Sequence, residues 1–199
     1  MLKSSYSKSK YEVGIDEAGR GSLAGPVTAS AVIFPENYKN NLLRDSKKIS
    51  EFKRYKLKEV IEKDALDFSV FFVNPNIIDK INILNSTIKA MHGALDKLMI
   101  KPTYILIDGN NFDKYYNIPH KCIIRGDDKF QNIAAASILA KTYRDDYMRI
   151  IHKKFPLFNW NKNKGYGTKS HIEMIGKFGL TKFHRKSFTL KKSQIKLEL

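Results

Sequence analysis

The sequence predicts an α/β fold, in which a mixed central sheet is flanked by helices and a small helical portion lies at the C-terminus. Short apolar segments and amphipathic segments follow one another in the order β, β, α, β, α, β, β, α, which is typical of layered strands and helices. The chain has 199 residues, of which 42% are hydrophobic. This is enough for one domain with a sizeable core.

The first half of the chain contains three predicted strands and two helical stretches. In order, these are strands at 11–15 and 27–34, a helix that begins at Glu51, a strand at 68–73, and helical residues 77–99. Ser50 is the predicted N-cap of the helix at Glu51, because a serine oxygen accepts a hydrogen bond from a free N–H of the first turn. Ile, Leu and Met recur every three or four residues after position 77, which fits either one long helix or two shorter ones.

The second half repeats the pattern and then becomes basic. A strand is predicted at 103–108, a further short strand in the stretch "HKCIIRGDD", and a long helix at 130–155 that carries the run Ala134-Ala135-Ala136. A basic loop and a short helix follow. We expect residues 1–10 to be a disordered basic tail, residues 11–190 to form one domain with a basic helical portion from about 147, and residues 191–199 to be a second basic tail.

The charge of the chain is uneven and indicates a polyanionic partner. The formal net charge is +16, and from position 147 onward there are 13 Lys or Arg against only Glu173 and Glu198. So basic a segment attracts a nucleic-acid backbone, and the alternative is a charged surface that keeps the protein dissolved. No apolar run is long enough to cross a bilayer, and we expect the basic N-terminal stretch not to be a secretory signal, because no apolar segment follows it. The single cysteine, Cys122, excludes an internal disulfide and favours a reducing cytoplasm.

Three apolar strands end in carboxylates. Asp16 and Glu17 follow "VGI", Asp108 follows "YILI", and Asp127 follows "CIIRG". One acid at a strand end is an ordinary turn residue. Three such ends predict a functional cluster, because neighbouring strand ends converge at one edge of an α/β sheet.

Converging carboxylates repel one another unless protons or cations neutralise them. Oxygen ligands of this kind suit Mg²⁺ or Mn²⁺. Two such ions about 4 Å apart stabilise both the attacking and the leaving oxygen of a phosphoryl displacement. Other chemistries lack their motifs, since the sequence contains no G-x-x-x-x-G-K-[ST], no H-E-x-x-H and no G-x-S-x-G.

Several motifs together resemble type 2 ribonuclease H, the ribonuclease HII family, in its bacterial form. They are "GIDEAGRGSLAGPV", "DSKKIS", "IDGN", "GDDKFQNIAAASILAKTYRD", "FPLFNWNKNKGYGTKSH" and "HRKSF", in the order of the family. The resemblance covers residues 11–190 and implies an RNase H-like sheet. The arginine in "DEAGRG" is typical of this family, whereas the sister ribonuclease HIII has a threonine there.

The resemblance implies an endoribonuclease that cleaves the RNA strand of RNA–DNA hybrids. It also implies nicking of duplex DNA on the 5′ side of a single embedded ribonucleotide, with 3′-hydroxyl and 5′-phosphate products and two Mn²⁺ or Mg²⁺ ions. The expected substrate partners are therefore RNA–DNA hybrids and DNA duplexes that contain ribonucleotides. We expect a cytoplasmic monomer that acts in replication and ribonucleotide excision repair, away from membranes.

The resemblance also assigns roles to individual residues. Metal binding and catalysis fall to four carboxylates, Asp16, Glu17, Asp108 and Asp127. Recognition of the 2′-hydroxyl and of the RNA–DNA junction falls to Gly19, Arg20, Gly21 and Tyr166. The candidate phosphate contacts, each of which could also be a solvated charge, are Lys47, Lys164, Lys169, His171 and Arg185.

Two nearby acids are kept outside the metal site. Asp128 is interpreted as a solvated residue near a helix start. Asp145 is either a second-layer acid that orients a metal-bound water or a lysine, or a partner of Lys141 or Arg149 in an i,i+4 ion pair. Both interpretations of Asp145 stay open at this point.

Two other functions fit parts of the pattern. A nuclease of the same architecture could cut DNA alone, as resolvases and transposases do. A catalytically silent protein could bind nucleic acid through its basic C-terminal quarter, but loss of one of the four acids would then be expected, and all four are present.

Overall fold

The computed structural model describes residues 2–7, 9–43 and 49–188. Lys47 and the predicted tail at 191–199 lie outside the described residues. Within them, the order of strands and helices follows the sequence prediction.

The centre of the domain is a five-stranded mixed sheet. In chain order the strands are β1 (Glu12–Ala18), β2 (Val27–Ile33), β3 (Asp67–Val73), β4 (Tyr104–Asp108) and β5 (His120–Ile123). Their order across the sheet is β3-β2-β1-β4-β5, so β1 lies in the middle. The pairs β1–β2 and β2–β3 are antiparallel, whereas β1–β4 and β4–β5 are parallel. The predicted mixed sheet is confirmed.

The described residues form five α-helices. They are α1 (Glu51–Asp64), α2 (Pro75–Asp96), α3 (Gln131–Lys154), α4 (Trp160–Asn163) and α5 (Lys169–Phe178). The Ser50 side chain accepts a hydrogen bond from the N–H of Lys53, as expected of an N-cap. Asn82 has φ of 65° and interrupts α2, so the stretch is two helical segments joined at a kink. The side chain of Asn82 accepts from the N–H of Asn85 and caps the second segment.

The helices cover both faces of the sheet. On one face, α2 packs against apolar side chains of the inner strands, in a cluster that includes Val13, Ile15, Met91 and Ile107. On the other face, α1 and the alanine run of α3 enclose a second cluster. A Cβ at Gly14 would clash with the backbone of Asn132, so glycine lets α3 lie directly on β1. This close contact places the first half of α3 over the strand that carries Asp16.

The N-terminal segment differs from its prediction as a disordered tail. Leu2 is buried in the cluster beneath α1 and α3. Lys3 exchanges backbone hydrogen bonds with Lys129 and Gln131 at the start of α3. The buried carboxylate of Glu12 accepts from the N–H groups of Tyr6 and Ser7, which turns the segment against the domain.

The basic C-terminal portion packs around its own apolar residues. Ala24, Met148, Phe158, Trp160 and Ile175 form this cluster, which joins the end of α3 to α4 and α5. The portion is therefore continuous with the main domain, as expected of a subdomain. No helix in the described part of the chain is long and apolar enough to cross a membrane.

Candidate active site

Two of the four predicted carboxylates lie side by side because their strands are parallel. Ile15 of β1 pairs with Ile107 of β4, and Asp16 and Asp108 come one residue later at the same edge of the sheet. Glu17 is the next residue of β1. Asp127 lies in the 3-10 turn after β5, and the preceding N–H, that of Gly126, donates to Oδ1 of Asp108 at 2.6 Å. The backbone thus brings all four acids to one end of the sheet.

The acids strongly influence one another. Asp16 is 4% exposed, and its Oδ1 accepts from the N–H of Glu17 at 2.7 Å. Burial raises the pKa of Asp16, the charges of Glu17 and Asp108 raise it further, and a hydrogen bond from Ser137 opposes part of the shift. Burial also raises the pKa of Glu17, against the pull of Arg20, whose Nη1 lies 3.2 Å from Oε1 of Glu17. The ionised forms of Asp16 and Glu17 are therefore disfavoured in the metal-free site.

A hard divalent cation fits this donor set. All four side chains offer only oxygen, and a positive charge would reverse the repulsion and burial penalty that raise the pKa values of Asp16 and Glu17. Among the described residues, no three His, Cys, Asp or Glu side chains are already gathered as a metal-binding group. The backbone brings the acids to one end of the sheet, but their side-chain oxygens do not yet converge on a single metal position.

A buried arginine holds the loop after β1 through its backbone carbonyl groups. Arg185, which is 2% exposed, donates to the carbonyl oxygens of Gly19 at 2.6 Å, Arg20 at 2.7 Å and Gly25 at 3.0 Å. Burial and the neighbouring charge of Arg144 lower the pKa of Arg185 to about 9, which leaves it protonated at neutral pH. The predicted phosphate contact by Arg185 is wrong in this structure, because its guanidinium faces the protein.

A second buried arginine joins this loop to the loop of Tyr166. Arg144 is fully buried and donates to the carbonyl oxygens of Ala24, Pro26 and Lys164, at 3.1, 2.9 and 2.9 Å. Its guanidinium carbon lies 5.6 Å from the centre of the Tyr166 ring. Tyr166 is itself 40% exposed. The two loops predicted to recognise the substrate are therefore fixed next to each other.

Two further candidate phosphate contacts are also turned inward. His171 is fully buried, its Nδ1 lies 2.9 Å from the carbonyl oxygen of Tyr166, and its Nε2 accepts from Trp160 at 3.0 Å. Lys164 is 8% exposed and its ammonium donates to the carbonyl oxygen of Asn161. As placed, these two side chains support the loop rather than meet a phosphate. Lys169 is exposed, and its predicted phosphate contact stays a prediction.

The structure also separates the two additional acids. Asp128 is exposed while Asp127 is buried, which agrees with the interpretation of Asp128 as a solvated residue. Asp145 is buried in an ion pair with Lys141, one of the i,i+4 alternatives, and lies 3.9 Å from Arg54. Its contacts thus belong to the interface of α1 and α3.

Sequence reasoning missed Arg144 and Ser137. Arg144 was one more basic residue in a basic chain, and only its position on the buried face of α3 distinguishes it. Ser137 follows the alanine run by one residue and reaches Asp16 because Gly14 lets α3 approach β1. The small residues of both elements were the signal for this contact.

Known sequences are similar to this chain along the whole domain. The sequence model described as Ribonuclease HII matches residues 13–191. Ribonuclease HII of Bacteroides thetaiotaomicron is 55% identical over 190 residues, which are 96% of this chain and 95% of that protein. Ribonuclease HII of Phocaeicola vulgatus is 52% identical over 199 residues, which are 100% and 99% of the two chains.

Solved structures share the fold at lower identity. The ribonuclease H2 of Pyrococcus horikoshii superimposes with a TM-score of 0.76 at 24% identity, over 89% of this chain and 93% of that one. The ribonuclease HII of Archaeoglobus fulgidus, solved in complex with PCNA, gives 0.75 at 24% identity, over 91% and 96%. A ribonuclease HIII solved with Mn²⁺ gives 0.69 at 15% identity, over 94% and 69%. The RNase H-like fold predicted from the motifs is thereby confirmed.

Proposed function

This chain belongs to the ribonuclease HII family and is a ribonuclease H, and we propose that it cleaves the RNA strand of RNA–DNA hybrids and also nicks duplex DNA on the 5′ side of a single ribonucleotide. The observation that carries the proposal is the placement of Asp16 and Asp108 beside the Gly19–Gly21 loop. Chemistry on a phosphodiester would then take place at the ends of β1 and β4, and recognition of the adjacent sugar in the loop that directly follows β1.

The chain's own acids set the chemistry of the site. Asp16, Glu17, Asp108 and Asp127 would hold Mg²⁺ or Mn²⁺, because their oxygens suit hard cations and their charges need neutralising. Two ions, when bound, supply an activated water and stabilisation of the leaving 3′-oxygen, which gives 3′-hydroxyl and 5′-phosphate ends. Ser137 supports this arrangement by donating to Asp16.

Recognition of the ribonucleotide is assigned to the loop after β1 and to Tyr166. Gly21 is exposed, and a Cβ there would meet nothing within 4 Å in the free protein, so a sugar can approach its backbone. The half-exposed ring of Tyr166 would stack on the sugar next to the ribonucleotide. The basic C-terminal portion would bind the phosphates of the duplex, with Lys169 as the exposed member of the predicted set. We assign the enzyme to the cytoplasm as a monomer.

Matched duplexes test the proposal directly. Duplexes of one sequence that contain zero, one or four ribonucleotides would be incubated with Mg²⁺ or Mn²⁺ and their product ends mapped. We expect cutting on the 5′ side of the single ribonucleotide, cutting within the run of four, and no cutting of the all-DNA duplex. Equal cutting of the all-DNA duplex would favour a DNA nuclease of the same fold.

Variants of the acids separate catalysis from binding. Asp16→Asn and Asp108→Asn should lower cleavage by more than about 100-fold, the scale on which loss of one electrostatic catalytic group is felt. Affinity for the duplex should stay within a few fold, because the basic surface is unchanged. Asp128→Asn is the matched control, since Asp128 neighbours the site but is exposed. Cleavage at the wild-type rate by the first two variants would refute the metal assignment.

A further inference from the structure

The loop that begins at Gly19 rests on two cations that the catalytic chemistry does not use. Among the described residues, every hydrogen bond that the guanidinium groups of Arg144 and Arg185 donate ends on a backbone carbonyl oxygen. Five of these six carbonyls belong to residues 19–26 and the sixth belongs to Lys164. Two buried positive charges therefore lie directly beneath one short segment of chain.

The contacts of Arg185 fix the direction of two peptide groups. In a trans peptide the C=O and the N–H point in opposite directions, and the described chain contains no cis peptide. The carbonyl groups of Gly19 and Arg20 point towards the Arg185 guanidinium. The N–H groups of the same two peptides, which belong to Arg20 and Gly21, therefore point away from Arg185. Both residues are exposed, so these two N–H groups face the side from which a substrate would come.

We propose that Arg185 is a positioning residue for ribose selectivity, which holds the N–H groups of Arg20 and Gly21 outward as donors for the 2′-hydroxyl. This inference rests on the proposed function. It adds the residue that aligns the backbone N–H groups that recognise the ribose. A charge behind the peptides also polarises them, since a cation at the oxygen end makes the N–H a stronger donor. Arg144 has the complementary task of keeping this loop against the loop of Tyr166.

The conformation of the loop shows why an arginine is needed. Gly19 has φ of +89° and Gly25 has φ of +84°, so the chain turns sharply at both ends of the segment. The guanidinium fork spans the carbonyls of Gly19, Arg20 and Gly25 through three different nitrogen atoms. A lysine carries the same charge but only a single donor atom, so it cannot hold three separated carbonyls at once. Arg185→Lys thus removes the geometry and keeps the charge.

Equilibrium binding in EDTA tests the inference without cleavage. Two duplexes that differ only in one 2′-hydroxyl are titrated with wild-type protein and with Arg185→Lys. We expect the wild type to prefer the ribonucleotide duplex by about tenfold, the scale of one hydrogen bond. Arg185→Lys should bring this preference to within about twofold, while affinity for the all-DNA duplex changes little because contacts with phosphates are retained.

A variant destabilised elsewhere in the core separates positioning from folding. Ile61→Ala creates a cavity in the core between α1 and the sheet. Neither the loop at 19–26 nor the loop of Tyr166 contributes to this cluster. The substitution should lower Tm and leave the preference for the 2′-hydroxyl intact. If Arg185→Lys does not fold, Arg144→Lys takes its place, and a lowered preference is expected because the loop loses two of its five carbonyl contacts and its link to Lys164.

The outcomes distinguish this inference from the proposed function. A wild type with no preference for the 2′-hydroxyl would overturn the proposed recognition and this inference with it. A wild type that shows the preference, together with a folded Arg185→Lys that keeps it, would overturn the role of Arg185 alone. Loss of the preference in Ile61→Ala as well would assign the effect to general destabilisation and refute the inference.

Discussion

Asp16 and Asp108 stand next to each other at the ends of two parallel strands, one residue beyond the paired Ile15 and Ile107. Burial and the charges of Glu17 and Asp108 raise the pKa of Asp16. An acid whose folded pKa is raised contributes stability at low pH that is lost as the pH rises through that pKa. Ionised Asp16 therefore destabilises the metal-free protein at neutral and alkaline pH.

Asp16→Asn should accordingly raise the stability of the metal-free enzyme. In EDTA at pH 8 we expect Tm to increase by a few degrees, which corresponds to about 1 kcal/mol in a domain of this size. The amide keeps an oxygen that can accept from the N–H of Glu17. Thermal melts of the variant and of Asp128→Asn, an exposed acid, would check this.

Divalent ions should make the wild type more stable than Asp16→Asn, the reverse of the order expected in EDTA. Mg²⁺ or Mn²⁺ binds the folded state of the wild type and raises its Tm with concentration. The variant has lost one carboxylate and should respond less. A variant less stable than wild type in EDTA, with the same response to Mn²⁺, would contradict both the charge argument and the ligand assignment.

The position of the acids could be predicted because it depends on local rules. A buried parallel strand is a continuous apolar run, so its last residue is visible in sequence, and adjacent strand ends share an edge of the sheet. The helix at Glu51 was equally visible, since Ser50 marks its first turn. Which side chains point at one another could not be deduced, because this depends on how the strands pair.

Basic residues were the least predictable part of the site. Lys169, Lys164 and Arg185 look alike in sequence, yet the first is exposed and the other two are turned inward. The difference arises from carbonyl groups that a sharply turned loop leaves unpaired and that a buried cation can satisfy. The segment at 2–7 was misjudged for a related reason. Its polar composition suggested a free tail, but backbone contacts and one apolar residue, Leu2, hold it in place.

Gly19 and Gly21 are expected to fail in different ways when replaced by alanine. Gly19 has φ of +89° and a Cβ there would clash with the side chain of Arg144. Gly19→Ala should therefore lose about 2–4 kcal/mol of unfolding free energy together with activity. Denaturant unfolding measured beside cleavage would record both losses.

Gly21→Ala should fold normally and still be impaired. A Cβ at this position meets nothing within 4 Å, so the free energy of unfolding should change by less than about 0.5 kcal/mol. Cleavage at a single ribonucleotide should fall by at least about tenfold, because the methyl group occupies the space a sugar would enter. A Gly21→Ala enzyme with wild-type cleavage would exclude close approach of the substrate to this residue.

The buried histidine pair should make the C-terminal portion sensitive to acid. His184 accepts at Nδ1 from the N–H of Thr181, so its proton lies on Nε2, which faces Nε2 of His171 at 3.1 Å. Protonating either ring places two N–H groups against each other. Burial and the neighbouring His171 lower the pKa of His184 to about 4. The pair is stable only when both rings are neutral.

A lowered histidine pKa gives stability that is complete above about pH 6.5, the unfolded value, and is lost as the pH falls towards 4. We expect His184→Gln to be less stable than wild type at pH 7 by on the order of 1 kcal/mol, since the bond from Thr181 is lost. The difference should close and then reverse before pH 4.5, because the lowered pKa of His184 costs the wild type about 1.4 kcal/mol for each pH unit below 6.5 and a glutamine carries no such cost. Urea unfolding of both proteins between pH 7 and 4.5 measures this, with Ile61→Ala as a control that carries no titrating group. A gap between wild type and His184→Gln that stays constant across this range would show that folding does not lower the pKa of His184, contrary to the linkage argument.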